Sequence, residues 1–160
     1  MALTEDVKDT DIIDIEMPLI KKKRFRINGD SSKILELNTS DFTILNRVVS
    51  TKKKLDSLAE DATSLSEKEL KDNTLEGLEK LNEKLKHIDE KMRALIDELF
   101  NAPVSAVCAS DGSMYDVFDG QFRFELVMAN IMKLYEDNIS SEYAKVVSRM
   151  EKHTSKYTNR

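Results

Sequence analysis

Leu78, Leu81, Leu85, Ile88, Met92, Leu95 and Leu99 are separated by 3, 4, 3, 4, 3 and 4 residues, the strongest regularity in the chain. This is the a/d seam of a heptad repeat, and it predicts one long helix that stops at Phe100-Asn101-Ala102-Pro103. Glu, Lys and Asp fill most positions between, with Lys84, Lys91 and Glu98 at g and Asn82, Asp89 and Ile96 at e, so flanking charges are only partly complementary. The seam fits a helical hairpin inside the chain or a coiled coil between subunits. Its seven residues are the candidate surface for a partner or for self-association.

Upstream the period changes from helical to alternating. In KRFRINGDSSKILELN, Phe25 and Ile27 alternate with Arg24, Arg26 and Asn28, and Leu35 and Leu37 flank Glu36. Asn28-Gly29-Asp30-Ser31-Ser32 between them supplies turn chemistry, which predicts a β-hairpin. A lone hairpin is marginal in water, so it must lie on a helix or pair with another copy. Asn38-Thr39-Ser40-Asp41 is dense in N-cap residues, and Phe42, Leu45, Val48 and Val49 follow at helical spacing. The expected first helix runs from Asp41 to about Glu60, and Ser66-Glu67-Lys68-Glu69 has the form of a capping box before the heptad helix. Loops at Ser110–Ser113 and Asp119-Gly120 surround a short apolar piece, Met114 to Phe118. A third helix is expected from about Gln121 to Asp137 on Phe124, Val127, Ile131 and Leu134, an interruption at Asn138-Ile139-Ser140, and a last helical stretch on Tyr143, Val146, Val147 and Met150 whose polar end frays.

The expected fold is therefore mainly α with a small N-terminal β-hairpin, an α+β helical bundle with a long heptad-patterned helix. It divides into an acidic flexible arm (1–17), a hairpin plus helical domain (18–139) and a C-terminal helical extension (140–160).

Charge sharpens the reading of the arm. The first sixteen residues carry six carboxylates and one Lys, a net of -5 that equals the whole-chain value, so everything after Glu16 is neutral on balance. Such a start is unlike a secretory signal, and no run of apolar residues approaches the about 20 of a spanning helix. A single Cys in 160 residues allows no internal disulfide, so a reducing cytoplasm is the expected location, with no membrane association. Behind the arm lies a basic block, Lys21, Lys22, Lys23, Arg24 and Arg26, joined through Met17-Pro18-Leu19-Ile20, where Pro18 favours an extended chain. The block offers contacts to phosphates, but as strand residues its arginines alternate outward and discourage unwanted edge pairing, which disfavours nucleic acid. The arm has two candidate roles: an electrostatic cover for Lys21, Lys22, Lys23 and Arg24, or a recognition strand that inserts Ile13 and Ile15 into a partner's groove.

Catalytic chemistry finds no foothold in the pattern. His87 and His153 lack ligand partners at metal spacing, Cys108 in AVCAS has no Cys-His signature, and no serine sits in a nucleophile elbow. DGSMYDVFDG looks like a calcium loop, but with Gly120 at position 6 the ligand positions 1, 3 and 12 fall on Tyr115, Val117 and Leu126. Gly29, Gly112 and Gly120 build no phosphate loop. Asp111, Asp116, Asp119 and Glu125 are the one acidic group from which a site could be assembled. The expectation is a protein that is not an enzyme, with no cofactor and no metal.

RFRING, a second strand ending in LELN, a Thr/Ser/Asp-capped helix, a long charged helix closing in ALIDELF, a Gly-containing loop and a final amphipathic helix together resemble the tail assembly chaperones of long-tailed bacteriophages of Gram-positive hosts. The likeness spans about Lys21 to Asn138 and rests most on Phe25 to Leu37 with Ser40-Asp41-Phe42, and on Ile96 to Phe100 leading to Phe118-Asp119-Gly120. The resemblance implies a non-enzymatic protein-binding chaperone in the host cytoplasm that coats the tape-measure protein, or binds another tail protein, and self-associates. The acidic arm and the segment after Ser140 depart from the family's compact pattern. That departure keeps open a structural virion or tail component and, third, a small nucleic-acid-binding regulator using residues 21–26.

Overall fold

The computed structural model describes residues 12–65 and 67–158. It is mainly helical with an N-terminal hairpin. In chain order come β1 (Lys23–Ile27), β2 (Asp30–Leu37), α1 (Ile44–Thr63), α2 (Glu67–Lys71), α3 (Leu75–Phe100), α4 (Val104–Cys108), β3 (Val117–Phe118), β4 (Gln121–Phe122) and α5 (Arg123–Thr158).

The first hairpin turns at Asn28-Gly29, with φ of 51° and 72°, a conformation that Asn and Gly adopt at low cost. Its antiparallel ladder pairs Lys23 with Leu37, Arg24 with Glu36, Phe25 with Leu35 and Arg26 with Ile34, then shifts register before Ile27–Asp30. Alternation gives the sheet two unlike faces: Leu35 and Leu37 are buried and Phe25 packs beside them, while Arg24 and Glu36 meet on the outer face at 3.5 Å.

α1 starts three residues later than expected and ends three later. Asp41 accepts bonds from the Thr43 amide and hydroxyl (2.9 and 2.5 Å), which organises a turn ahead of the helix and leaves Ile44 to begin it. Arg47 then joins α1 to α3: Nε donates to the Leu99 carbonyl at 2.8 Å, one of the orphan acceptors at the end of α3, and Nη2 reaches Asp41. α3 begins at a proper cap, with Thr74 Oγ1 accepting from the Gly77 amide at 3.0 Å, and ends on Asn101 in the left-handed region. The expected capping box rests on Ser66, which lies outside the described residues; Glu69 accepts a bond from Lys84 at 2.9 Å.

Two sequence expectations need correction. The break at Asn138-Ile139-Ser140 does not occur, and α5 runs unbroken for 36 residues. Asn138 spends its side chain outward instead, donating to the Thr39 carbonyl and Ser40 Oγ and accepting from Lys23 Nζ at 2.5 Å, so it ties the helix to the hairpin without competing for the helix backbone. Second, the piece from Met114 to Phe118 is not one apolar segment: Met114 is buried, and Val117–Phe118 turn through Asp119-Gly120 into a small second hairpin.

The core gathers Leu35 and Leu37 from the hairpin, Ile44, Leu55 and Leu58 from α1, Met92 to Phe100 from α3, Val104, Met114, and Phe124, Ile131 and Tyr135 from α5. Tyr115, Phe122 and Phe124 form a cluster of rings 5.3 to 5.5 Å apart, and the Tyr115 hydroxyl donates to the Leu58 carbonyl.

Candidate protein-interaction site

The seam of α3 divides in the middle. Ile88, Met92, Leu95 and Leu99 are buried against the rest of the chain, whereas Leu78 is 49% exposed, Leu85 is 39% exposed and Leu81 is half-buried. Leu75, one turn before Leu78, is exposed as well and extends the stripe. The covered half is matched by α1, whose Leu55 and Leu58 lie on the same core. Among the described residues α2 lies against the open half, where Lys84 pairs with Glu69 at 2.9 Å. A shallow groove of about 520 Å³ runs between α1 and α3 past Leu58 and Leu95, rimmed by Lys53, Lys54 and Lys91.

The same division recurs in α5. Phe124, Ile131 and Tyr135 are buried, and beyond Asn138 the apolar side chains Tyr143, Val146 and Met150 are exposed. The pattern that singles out Val146 and Met150 in the sequence is helical, and it does not reveal that they stay exposed.

Residues 12–22 precede β1 without regular secondary structure. Ile13 is 87% exposed and Ile15 80%, and Ile12, Met17, Leu19 and Ile20 are exposed as well. Among the described residues Lys21 and Lys22 are exposed, Lys23 donates to Asn138 and Arg24 meets Glu36. The rest of the expected arm, Met1 to Asp11, lies outside the described residues.

Several part-buried polar groups hold the loops around α4 to α3. Asp89 Oδ1 accepts from the Ser113 hydroxyl and the Met114 amide (2.9 and 2.7 Å), and Oδ2 from Arg93 at 2.8 Å. Arg93 in turn donates to the Ser105, Ala109 and Gly112 carbonyls, so the pair straps the loop after α4 to α3. Burial pushes the Asp89 carboxyl up, but the bonds from Arg93, Met114 and Ser113 outweigh it and hold it below the usual range. Asp97 holds α4 by accepting from the Ser105 amide and hydroxyl, both at 2.8 Å.

In the acidic group at 111–125, Asp111, Asp116 and Glu125 have partners. Arg123 sits between Asp111 (2.7 Å) and Asp116 (3.3 Å) and under the Phe118 ring, and Glu125 accepts from the Phe122 amide at the start of α5. Cys108 is partly buried, and burial with the nearby Asp97 raises its thiol above the ordinary value, which opposes thiolate chemistry. Burial likewise raises the Tyr115 hydroxyl to about 12. Among the described residues no three His, Cys, Asp or Glu side chains are placed to hold a metal ion, and no helix is long and apolar enough to cross a membrane.

Sequence reasoning missed the internal boundary of the seam. The signal available for it was the composition opposite: α1 supplies Leu55 and Leu58, and after Thr63 the chain offers mostly Ser, Glu, Lys and Asp. Set against known proteins, the chain matches no family model, no curated protein and no solved structure.

Proposed function

We propose that this protein is a non-enzymatic, protein-binding chaperone of phage tail assembly that coats the tape-measure protein in the host cytoplasm. The family part of this reading rests on the sequence resemblance. Its physical support is one observation: the open half of the α3 seam, Leu75, Leu78 and Leu85, stands uncovered on a helix anchored in the core. An apolar stripe at helical spacing on a rigid helix is the form that takes an amphipathic helical partner. Tape-measure proteins fit as a class because a long helical client repeats such a surface.

The test is co-expression of the full chain with a tape-measure protein from a long-tailed phage of a Gram-positive host, followed by co-purification. Retention of the client by the parent, and its loss with Leu78→Asp/Leu85→Asp while the variant keeps the parent's circular dichroism, supports the reading. A folded parent that retains no client, or a folded variant that retains it fully, contradicts it.

A further inference from the structure

Beyond Asn138, α5 continues to Thr158 as a helix roughly 30 Å long at 1.5 Å per residue, and every residue from Ser140 to Thr154 except Val147 is exposed. Ile139, Tyr143, Val146, Met150 and His153 follow one another at spacings of 4, 3, 4 and 3, so they form one stripe down this helix. Tyr143, Val146 and Met150 are exposed apolar side chains, and Ile139 joins the stripe to the edge of the core. A lone helix of this length is marginal in water even when rich in Ala, and this one carries Ser140, Ser141, Val146, Val147 and Ser148 at interior positions. An unbroken helix here therefore requires a cover on the stripe.

We propose that the cover is the same stretch of a second copy, packed antiparallel about a two-fold axis between Ala144 and Lys145. Ile139 then faces Met150 of the other copy, Tyr143 faces Val146, and Glu136 faces His153 at the ends; symmetry repeats each pair. With Tyr143 and Met150 at a and Ile139 and Val146 at d, Glu142 and Arg149 fall at g, a position that meets its own kind across an antiparallel pair. Glu142 of each copy therefore lies opposite Arg149 of the other. Charge selects this register over its neighbours. Sliding by one heptad in one direction sets Arg149 against Arg149, and sliding in the other sets Glu142 against Glu142. A parallel pair leaves Glu142 and Arg149 facing Val147 and Thr154, with no charge to meet. Within its own helix Glu142 accepts from Lys145 at 3.0 Å, an exposed pair whose exchange for Arg149 costs little.

The pairing uses no residue of the client surface on α3, so it stands or falls separately from the chaperone reading. Sedimentation equilibrium on the full chain tests it. The parent is expected to be a dimer. Glu142→Arg sets four arginines along the paired g rows and Arg149→Glu sets four glutamates; neither alters an apolar residue, and each should raise the dimer dissociation constant roughly tenfold or more. An equimolar mixture of the two should form a heterodimer of about parental affinity, and the reversal Glu142→Arg/Arg149→Glu should restore the homodimer, because both combinations re-create the two opposite-charge pairs. Val146→Asp/Met150→Asp places charge on the stripe and should be monomeric. A monomeric parent, a single charge variant or a stripe variant that dimerises like the parent, or a mixture and a reversal that both stay weak would overturn the proposal.

Discussion

In α3, Ile88, Met92, Leu95 and Leu99 are buried, while Leu75, Leu78 and Leu85 on the preceding turns face solvent. Both stretches belong to a single helix with unbroken backbone bonding and similar charged residues between the leucines. What differs is the segment opposite. α1 runs alongside the end of α3, fixed there by Arg47 on the Leu99 carbonyl, and brings Leu55 and Leu58 to it. Beyond Thr63 the facing chain is the five-residue α2, whose Leu70 is itself exposed. A heptad repeat thus identifies a face, and the composition of the neighbouring segment decides whether the fold consumes that face or leaves it for a partner. α5 repeats the lesson on either side of Asn138.

The contrast breaks most sharply under truncation. Leu99→Ala removes a fully buried side chain and should cost about 2 to 5 kcal/mol, whereas Leu78→Ala at an open position should stay within about 1 kcal/mol. Denaturant titrations of the two variants measure the gap, and equal losses would mean that α3 is packed along its whole length.

Next in size is the strap that holds the buried half. Asp89→Asn gives up a charged bond to Arg93 and should cost about 2 kcal/mol at neutral pH. Because the folded carboxyl is held below its unfolded value, its contribution is complete above the unfolded value near 3.9 and is lost as pH falls through the folded one. The stability difference between parent and variant should therefore close in acid; a difference that persists unchanged to low pH would show that the charge is not what matters.

A smaller effect is expected where α5 leaves the core. Asn138→Ala removes its bonds to Thr39, Ser40 and Lys23 and should cost about 1 kcal/mol, with helix content unchanged because the α5 backbone does not depend on that side chain. Loss of ellipticity on this substitution would make Asn138 a helix determinant instead of a tether.

Smallest of all should be the response of nucleic-acid binding to the basic block. Each phosphate contact adds roughly 0.9 to the salt slope, so four contacts by Lys21, Lys22, Lys23 and Arg24 would make affinity fall steeply with salt. Replacing all four by Ser should leave whatever weak binding exists nearly unchanged, and a steep slope abolished by the replacement would favour the regulator reading.

The sequence made the first hairpin and the heptad helix readable because each repeats its period several times. The second hairpin uses the same chemistry, with Asp119-Gly120 at positive φ as at Asn28-Gly29, but its strands are two residues long and have no room to alternate. α4 escaped for a similar reason, being a single turn fixed by Asp97 rather than by its own pattern. Asn138 misled because a residue that often ends helices here bonds to a distant loop, a tertiary choice that local propensity does not record. For the candidate site, the leucines themselves were legible and their division into covered and open halves was not, since coverage depends on where α1 stops.

Hydrogen exchange along α3 in the free protein addresses that division most directly. Amides of the turns from Ile88 to Leu99 should open only with global unfolding, and those from Leu78 to Leu85 should exchange through local opening at markedly lower free energy, with the step falling between Leu85 and Ile88. Uniform protection from Leu78 to Leu99 would contradict the account, because it would place the whole seam inside one packed unit.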